Sequence, residues 1–313
     1  MYKIMTAGPT QVRENVRMAR SLETTNPDLD VAFCEFYKET CDLLQELLHS
    51  SGTAYILGGE GILGLEAACA SLTEPGDRVL VLDNGIFGKG FADFAKMYGG
   101  EPVLFTSDYQ KPIDAAELRA FLEKDSDFKY ATVVHCDTPS GVINDVSVIC
   151  PMLAEFGILS VVDSVAGMFG EYVNVDESQI DILCGGSQKA LSAPAGLTML
   201  WVSDKAMAAM ENRKTPIAAF YANILTFKTY YEDKWFPYTM PISDINGLRV
   251  AVDNVKAEPD IVERHAKIAA ATRQAVRKAG LSLYLKEGYA NTVTVIEVPD
   301  GLTDEQILST MRD

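Results

Sequence analysis

The chain has no cysteine pair at CxxC spacing and no residue cluster at metal-ligand spacing. Its six cysteines (34, 41, 69, 136, 150 and 184) are therefore expected to be reduced, mostly buried thiols. No apolar run approaches the roughly 20 residues of a membrane span. The opening Met1-Tyr2-Lys3-Ile4-Met5-Thr6 lacks the long apolar core of a secretory leader, so a cytoplasmic protein is expected. Positive charge is scarce: 27 Lys and Arg stand against 44 Asp and Glu, a formal net charge of −17. That balance argues against nucleic acid and anionic membranes as partners. It also means that an anionic ligand needs local help from backbone amides or a placed cation. Internal repeats and low-complexity segments are absent as well.

What remains is an ordinary globular composition, 48% hydrophobic and 23% charged over 313 residues, long enough for one large domain and a smaller one. Short β-branched runs alternate with longer amphipathic ones, the pattern of a parallel α/β sheet. Strands are expected at 78–83, 131–137, 158–162, 180–184 and 197–203. Helices are expected at 62–72, 87–98, 114–123 and 146–156. Such near-continuous apolar strands predict a sheet covered on both faces, with ligands gathering beyond its carboxyl ends. The stretch 244–279 is expected to be mostly helical, broken at Glu258-Pro259 and stopped by Gly280. Residues 291–298 then read as a strand of a second domain, and Thr303-Asp304-Glu305-Gln306 as a capped helix start.

Two residues could supply chemistry together. Asp163 ends one apolar run, and Lys189 follows another within Gly185-Gly186-Ser187-Gln188-Lys189. A carboxylate and an amine at neighbouring strand ends can converge on one small ring. That is what pyridoxal phosphate requires: a lysine for its aldehyde and an acid for its pyridinium nitrogen. The paired glycines permit a tight strand exit, while Ser187 and Gln188 offer polar groups for a phosphate or a ring substituent. Gly59-Glu60-Gly61-Ile62 is a glycine turn entering a helix, whose free N–H groups suit a phosphate. Glu60 is repulsive in such a cradle, so its side chain is expected to point away. Phe87 could stack on the ring and Thr138 could bond its hydroxyl, whereas His135 reads as a buried strand histidine.

In order, these segments resemble the class V aminotransferases of PLP fold type I, nearest the alanine–glyoxylate and serine–pyruvate aminotransferases. The likeness rests on Gly8-Pro9-Thr10, Gly59-Glu60-Gly61 with Glu66-Ala67-Ala68, and Asn84-Gly85-Ile86-Phe87-Gly88. It continues through 135–141, Val162-Asp163-Ser164-Val165, Gly186-Ser187-Gln188-Lys189 and Thr239-Met240-Pro241. The resemblance implies a mostly parallel seven-stranded sheet flanked by helices, with a smaller C-terminal α+β domain. It implies an N-terminal arm at 1–14, a large domain at 15–258, and the start of an incomplete small domain at 259–313. It implies pyridoxal 5'-phosphate on Lys189 as a Schiff base, paired with Asp163, stacked by Phe87 and contacted by Thr138. Gly59, Glu60, Gly61, Ile62 and Gln188 would hold the phosphate, with Thr239 from a second subunit of a homodimer. Gly8 would lie near the substrate. The implied reaction moves an amino group from alanine or serine to glyoxylate or pyruvate.

Three departures stand out. Phe236 occupies a place where relatives often carry a phosphate-binding Tyr, with Tyr238 nearby. Phe87 replaces a frequent Trp. The family's C-terminal Gly-Gly and Arg-Ile-Gly segment, whose Arg clamps the substrate carboxylate, is absent. A truncated chain or an unusual member is expected on that ground. Alternatives are aminoethylphosphonate transamination, cysteine desulfuration, and a protein that holds the cofactor without turnover. Gln188 argues against the first two, which usually have Asn and His there. A dinucleotide site is disfavoured because Gly59-Glu60-Gly61 lacks the third glycine.

Overall fold

The structure, a computed structural model, describes residues 3–312. The chain opens with α1 (Glu14–Ala19) and α2 (Val31–Leu47), then alternates: β1 (Thr53–Gly58), α3 (Gly61–Leu72), β2 (Arg78–Asp83), α4 (Ile86–Met97), β3 (Glu101–Thr106) and α5 (Ala115–Leu122). It continues with β4 (Tyr130–Val134), α6 (Val146–Glu155), β5 (Leu159–Asp163), β6 (Ile182–Gly186), β7 (Leu197–Val202) and α7 (Asp204–Glu211). Helices α8 (Tyr230–Asp233), α9 (Ile242–Lys256), α10 (Ile261–Lys278) and α11 (Asp304–Arg312) follow.

The strands form one seven-stranded sheet in the order β1-β7-β6-β5-β4-β2-β3. Five neighbours from β6 to β3 pair in parallel, and β7 runs against both β1 and β6. The apolar runs explain this placement. All of β4, β6 and β7 is buried, as a strand covered on both faces must be, whereas the edge strand β3 is only partly covered. Trp201, Tyr55, Leu57, Leu80 and Leu82 fill the two interfaces with the flanking helices. Because β1 lies antiparallel to β7, its carboxyl end emerges on the same side as those of β2, β4, β5 and β6. Every glycine-rich or polar turn singled out in the sequence therefore opens on one edge of the sheet.

Helix boundaries follow side-chain caps. Asp114 accepts from the N–H groups of Ala116 and Glu117 at the start of α5. At α11, Thr303 and Gln306 cap each other reciprocally, as the sequence predicts. The break at Glu258-Pro259 separates α9 from α10.

Two expectations need correction. The run 131–137 leaves the sheet after Val134; His135 still donates to Asp163 O, but Cys136 turns away to bridge Ile143. Residues 291–298 form no strand, only a bridge from Ile296 to Leu283. A ladder needs a partner along its length, and among the described residues only 282–284 runs beside this segment. Side chains hold the start of the segment. Glu171 accepts from the backbone and side chain of Asn291, and Arg273 donates to Ala290 O.

Candidate active site

Parallel pairing of β5 with β6 sets Asp163 opposite Cys184, two residues before Gly186. The chain then turns, and Lys189 reaches back over the strand ends. Both side chains line one cavity of about 190 Å³. Gly8, Pro9, Glu60, Gly61, Ile62, Phe87, Thr138 and Gln188 share that lining, so nearly all the candidate residues converge.

At one pole, Lys189 Nζ donates to Thr138 Oγ1 at 3.3 Å. Burial lowers the pKa of this amine, and the nearby Asp163 charge opposes the shift. The neutral form is the nucleophile, so desolvation favours attack on an aldehyde. Asp163 is 5% exposed and its Oδ1 accepts from Val165 N at 2.9 Å. Burial pushes its carboxyl up to about 7; the Asp137 charge adds to this, and the Val165 N–H and Lys189 act against it. The acid thus lacks a full counter-charge, which a ring N–H cation would provide.

The N-terminal arm closes the site from above. Thr10 donates from N to Gln188 O at 2.9 Å and from Oγ1 to Lys189 O at 2.7 Å. This lays Gly8 against the lysine stem: a Cβ there would come within 2.4 Å of Lys189 Cδ, and φ is +154°. Only glycine meets both demands.

At the other pole, the first turn of α3 faces the cavity. Here the side chain of Glu60 corrects the sequence expectation. It folds back instead of pointing away: Oε1 accepts from Ile62 N at 3.2 Å and Oε2 from Gln188 Nε2 at 2.9 Å. Free N–H groups at a helix start attract the nearest acceptor, and here that is the capping carboxylate itself. Gln188 Oε1 is buried with no hydrogen-bond partner.

Ser187 departs from expectation too. Ser187 is fully buried, donating to Pro194 O and accepting from Leu197 N, so it fastens its own loop and offers nothing to a ligand. Phe236 is a core aromatic, edge-on to Phe33 and Tyr37 and stacked on Tyr230, so it stands at no phosphate site. Tyr238 OH accepts instead from Gly58 N, beneath the glycine turn. Thr239 lies outside the cavity lining of its own chain and donates to Asp28. His135 is 2% exposed, bonds Ser164 Oγ at 2.9 Å, and burial drops its pKa to about 4.

Sequence reasoning missed some lining residues and supports. Cys136, Val165 and Ala166 line the cavity as apolar neighbours of the polar candidates, with no chemistry to mark them. Asp137 Oδ1 accepts from Phe87 N at 3.3 Å, while its Oδ2 binds Ser140. Thr10 carries no signal beyond its place two residues after Gly8, yet it ties down the Gln188-Lys189 loop.

Comparison with known proteins decides the family. The model described as "Aminotransferase class-V" matches residues 26–298. The chain belongs to the class V aminotransferases. Among curated relatives, the pyridoxamine–pyruvate transaminase of Mesorhizobium japonicum is 36% identical over 98% of this chain and 79% of its own length. The serine–glyoxylate aminotransferase of Arabidopsis thaliana is 29% identical over 98% and 78%. Among solved structures, ureidoglycine–glyoxylate aminotransferase from Bacillus subtilis superposes with a TM-score of 0.95, at 28% identity, covering 99% of this chain and 81% of that one. The fold is therefore PLP fold type I, and this class V aminotransferase is a PLP-dependent transaminase.

The cavity accommodates a pyridoxal ring. Asp163 has an oxygen that would take the ring nitrogen, Lys189 would meet the aldehyde with Thr138 beside its amine, and Phe87 would wall one side. The phosphate would go to the α3 N-terminus and Gln188, where the Glu60 carboxylate now lies; it fits once that side chain turns to solvent, to which Glu60 is open.

Proposed function

We propose that the chain moves an amino group from a small amino acid, alanine or serine, to glyoxylate or pyruvate. Lys189 holds the cofactor's aldehyde in this reading, and Asp163 pairs with its ring nitrogen. The observation that carries it is the meeting, in one cavity, of an amine biased toward its neutral form and a buried acid in need of a cation. The names of relatives support the acceptor class: glyoxylate recurs in them and pyruvate stands in one. One name also makes pyridoxamine a donor to be assayed.

When bound, the pyridoxal ring supplies an electron sink for the pair left at the substrate's α-carbon. The rest falls to the protein. Asp163 holds a proton at the ring nitrogen. Lys189 Nζ would hold the aldehyde and, once free, would carry the proton from the substrate's α-carbon, with Thr138 Oγ1 orienting the amine. Phe87 would pack on the ring face. Gly8 and Pro9 cover the site, limit donor size and exclude water.

A homodimer belongs to the same proposal, with Thr239 completing the partner's site. The exposure of Phe220, Tyr221 and Trp235, between 54% and 59%, supports such a face. A cytoplasmic setting also belongs to it, supported by six free, buried cysteines. No helix among the described residues is long and apolar enough to cross a membrane. The test mixes purified protein, PLP, alanine and glyoxylate: glycine and pyruvate should appear in equal amounts. No turnover with any donor in a panel of alanine, serine and pyridoxamine would reject the reading.

A further inference from the structure

The phosphate pole of this cavity already contains an anion. Glu60 accepts from the two donors best placed for a phosphate, the first-turn amide of Ile62 at 3.2 Å and the Gln188 carboxamide at 2.9 Å. Its backbone is anchored by Thr198 Oγ1, which donates to Glu60 O at 2.8 Å, so the carboxylate pivots from a fixed base. Among the described lining residues Lys189 is the sole cation, and it lies at the ring pole; Glu60 and Asp163 are both acids. A dianionic phosphate entering here must either sit against a carboxylate or expel it. Expulsion gives up the helix cap and leaves Gln188, already carrying an unpartnered Oε1, to be satisfied anew. A ring without a phosphate disturbs none of this.

We propose that Glu60 is a resident anion in the phosphate cradle, and that it makes this site accept unphosphorylated pyridoxal or pyridoxamine at least as well as their 5'-phosphates. The proposal rests on the Lys189 reading, because discrimination is judged between ligands held by the same amine. It goes beyond that reading in making the phosphate dispensable and naming the residue responsible. Glu60 thereby sets specificity without touching the reacting atoms.

The test titrates wild type, Glu60→Gln and Glu60→Ala with pyridoxal and with pyridoxal phosphate, following the imine absorbance and the intact mass after borohydride reduction. In the wild type the two dissociation constants should be similar, or pyridoxal should bind more tightly. Both substitutions should shift the ratio toward the phosphate by about tenfold or more, since they remove a like charge from beside it. Urea unfolding of each ligand-free variant is the control for folding. A wild type favouring the phosphate by more than about tenfold overturns the proposal, as does a ratio that neither substitution moves. Failure of both ligands to form a reducible adduct instead overturns the Lys189 reading, and this proposal with it.

Discussion

Two carboxylates face one cavity and are held in opposite ways. Asp163 ends a strand that is buried after its first residue and takes a single backbone hydrogen bond; burial raises its carboxyl to about 7. Glu60 sits at an open helix start, where an amide and a carboxamide meet it. The first is short of a partner and suited to a cationic ring. The second is already satisfied and competes with an anionic group. The contrast shows that charge in a site has to be read together with what has already answered it.

The largest effect should come from removing the amine that the ring pole serves. Lys189→Ala is expected to lower transamination by at least about 10³-fold, since both the covalent anchor and the proton carrier are lost; single-turnover kinetics with alanine measures this. Asp163→Asn should cost about 10²–10³-fold in the same assay, because the ring nitrogen loses its anion.

The same substitution separates stability from function. The folded protein retains the Asp163 proton up to about pH 7, while an unfolded aspartate releases it near 3.8. Stability of the cofactor-free protein should therefore fall as pH rises through that window. Cofactor-free Asp163→Asn should be more stable than wild type at pH 8, with the gap closing near pH 4. Urea melts at several pH values would show this, and parallel curves for the two proteins would contradict it.

Smaller effects should come from the walls. Gly8→Ala brings a methyl to within 2.4 Å of the lysine stem at a backbone angle that disfavours it, so imine formation should slow by about tenfold, read by stopped-flow absorbance. Phe87→Ala should weaken retention of the ring by about two- to tenfold, the worth of an offset stack. If Phe87→Ala exceeds Asp163→Asn in its effect on turnover, the ranking of the ring pole over the walls is wrong.

Much of this was legible from periodicity and spacing. The run at 78–83 forms β2 as expected, and the apolar strands assemble into a doubly covered sheet that brings Asp163 and Lys189 together. The resemblance added the strand number; residues 53–58 and 101–106 had not been singled out as β1 and β3. Local competition was not legible. Ser187 looked available because its motif is polar, yet the loop at 194–197 takes both of its bonds. Glu60 looked misplaced because charge alone predicts repulsion, whereas its own helix start attracts it. Phe236 stands where relatives often carry a Tyr, and packing draws it into the core. Residues 291–298 carry a strand's alternation, but pairing depends on a neighbour that alternation does not reveal.

The most direct test of the account reduces the protein with borohydride in the presence of pyridoxal, digests it, and maps the modified peptide by mass. The account predicts one modified site, the amine of Lys189, protected from label by prior addition of excess alanine and absent in Lys189→Ala. Label spread over surface lysines, or retained in that variant, would contradict it.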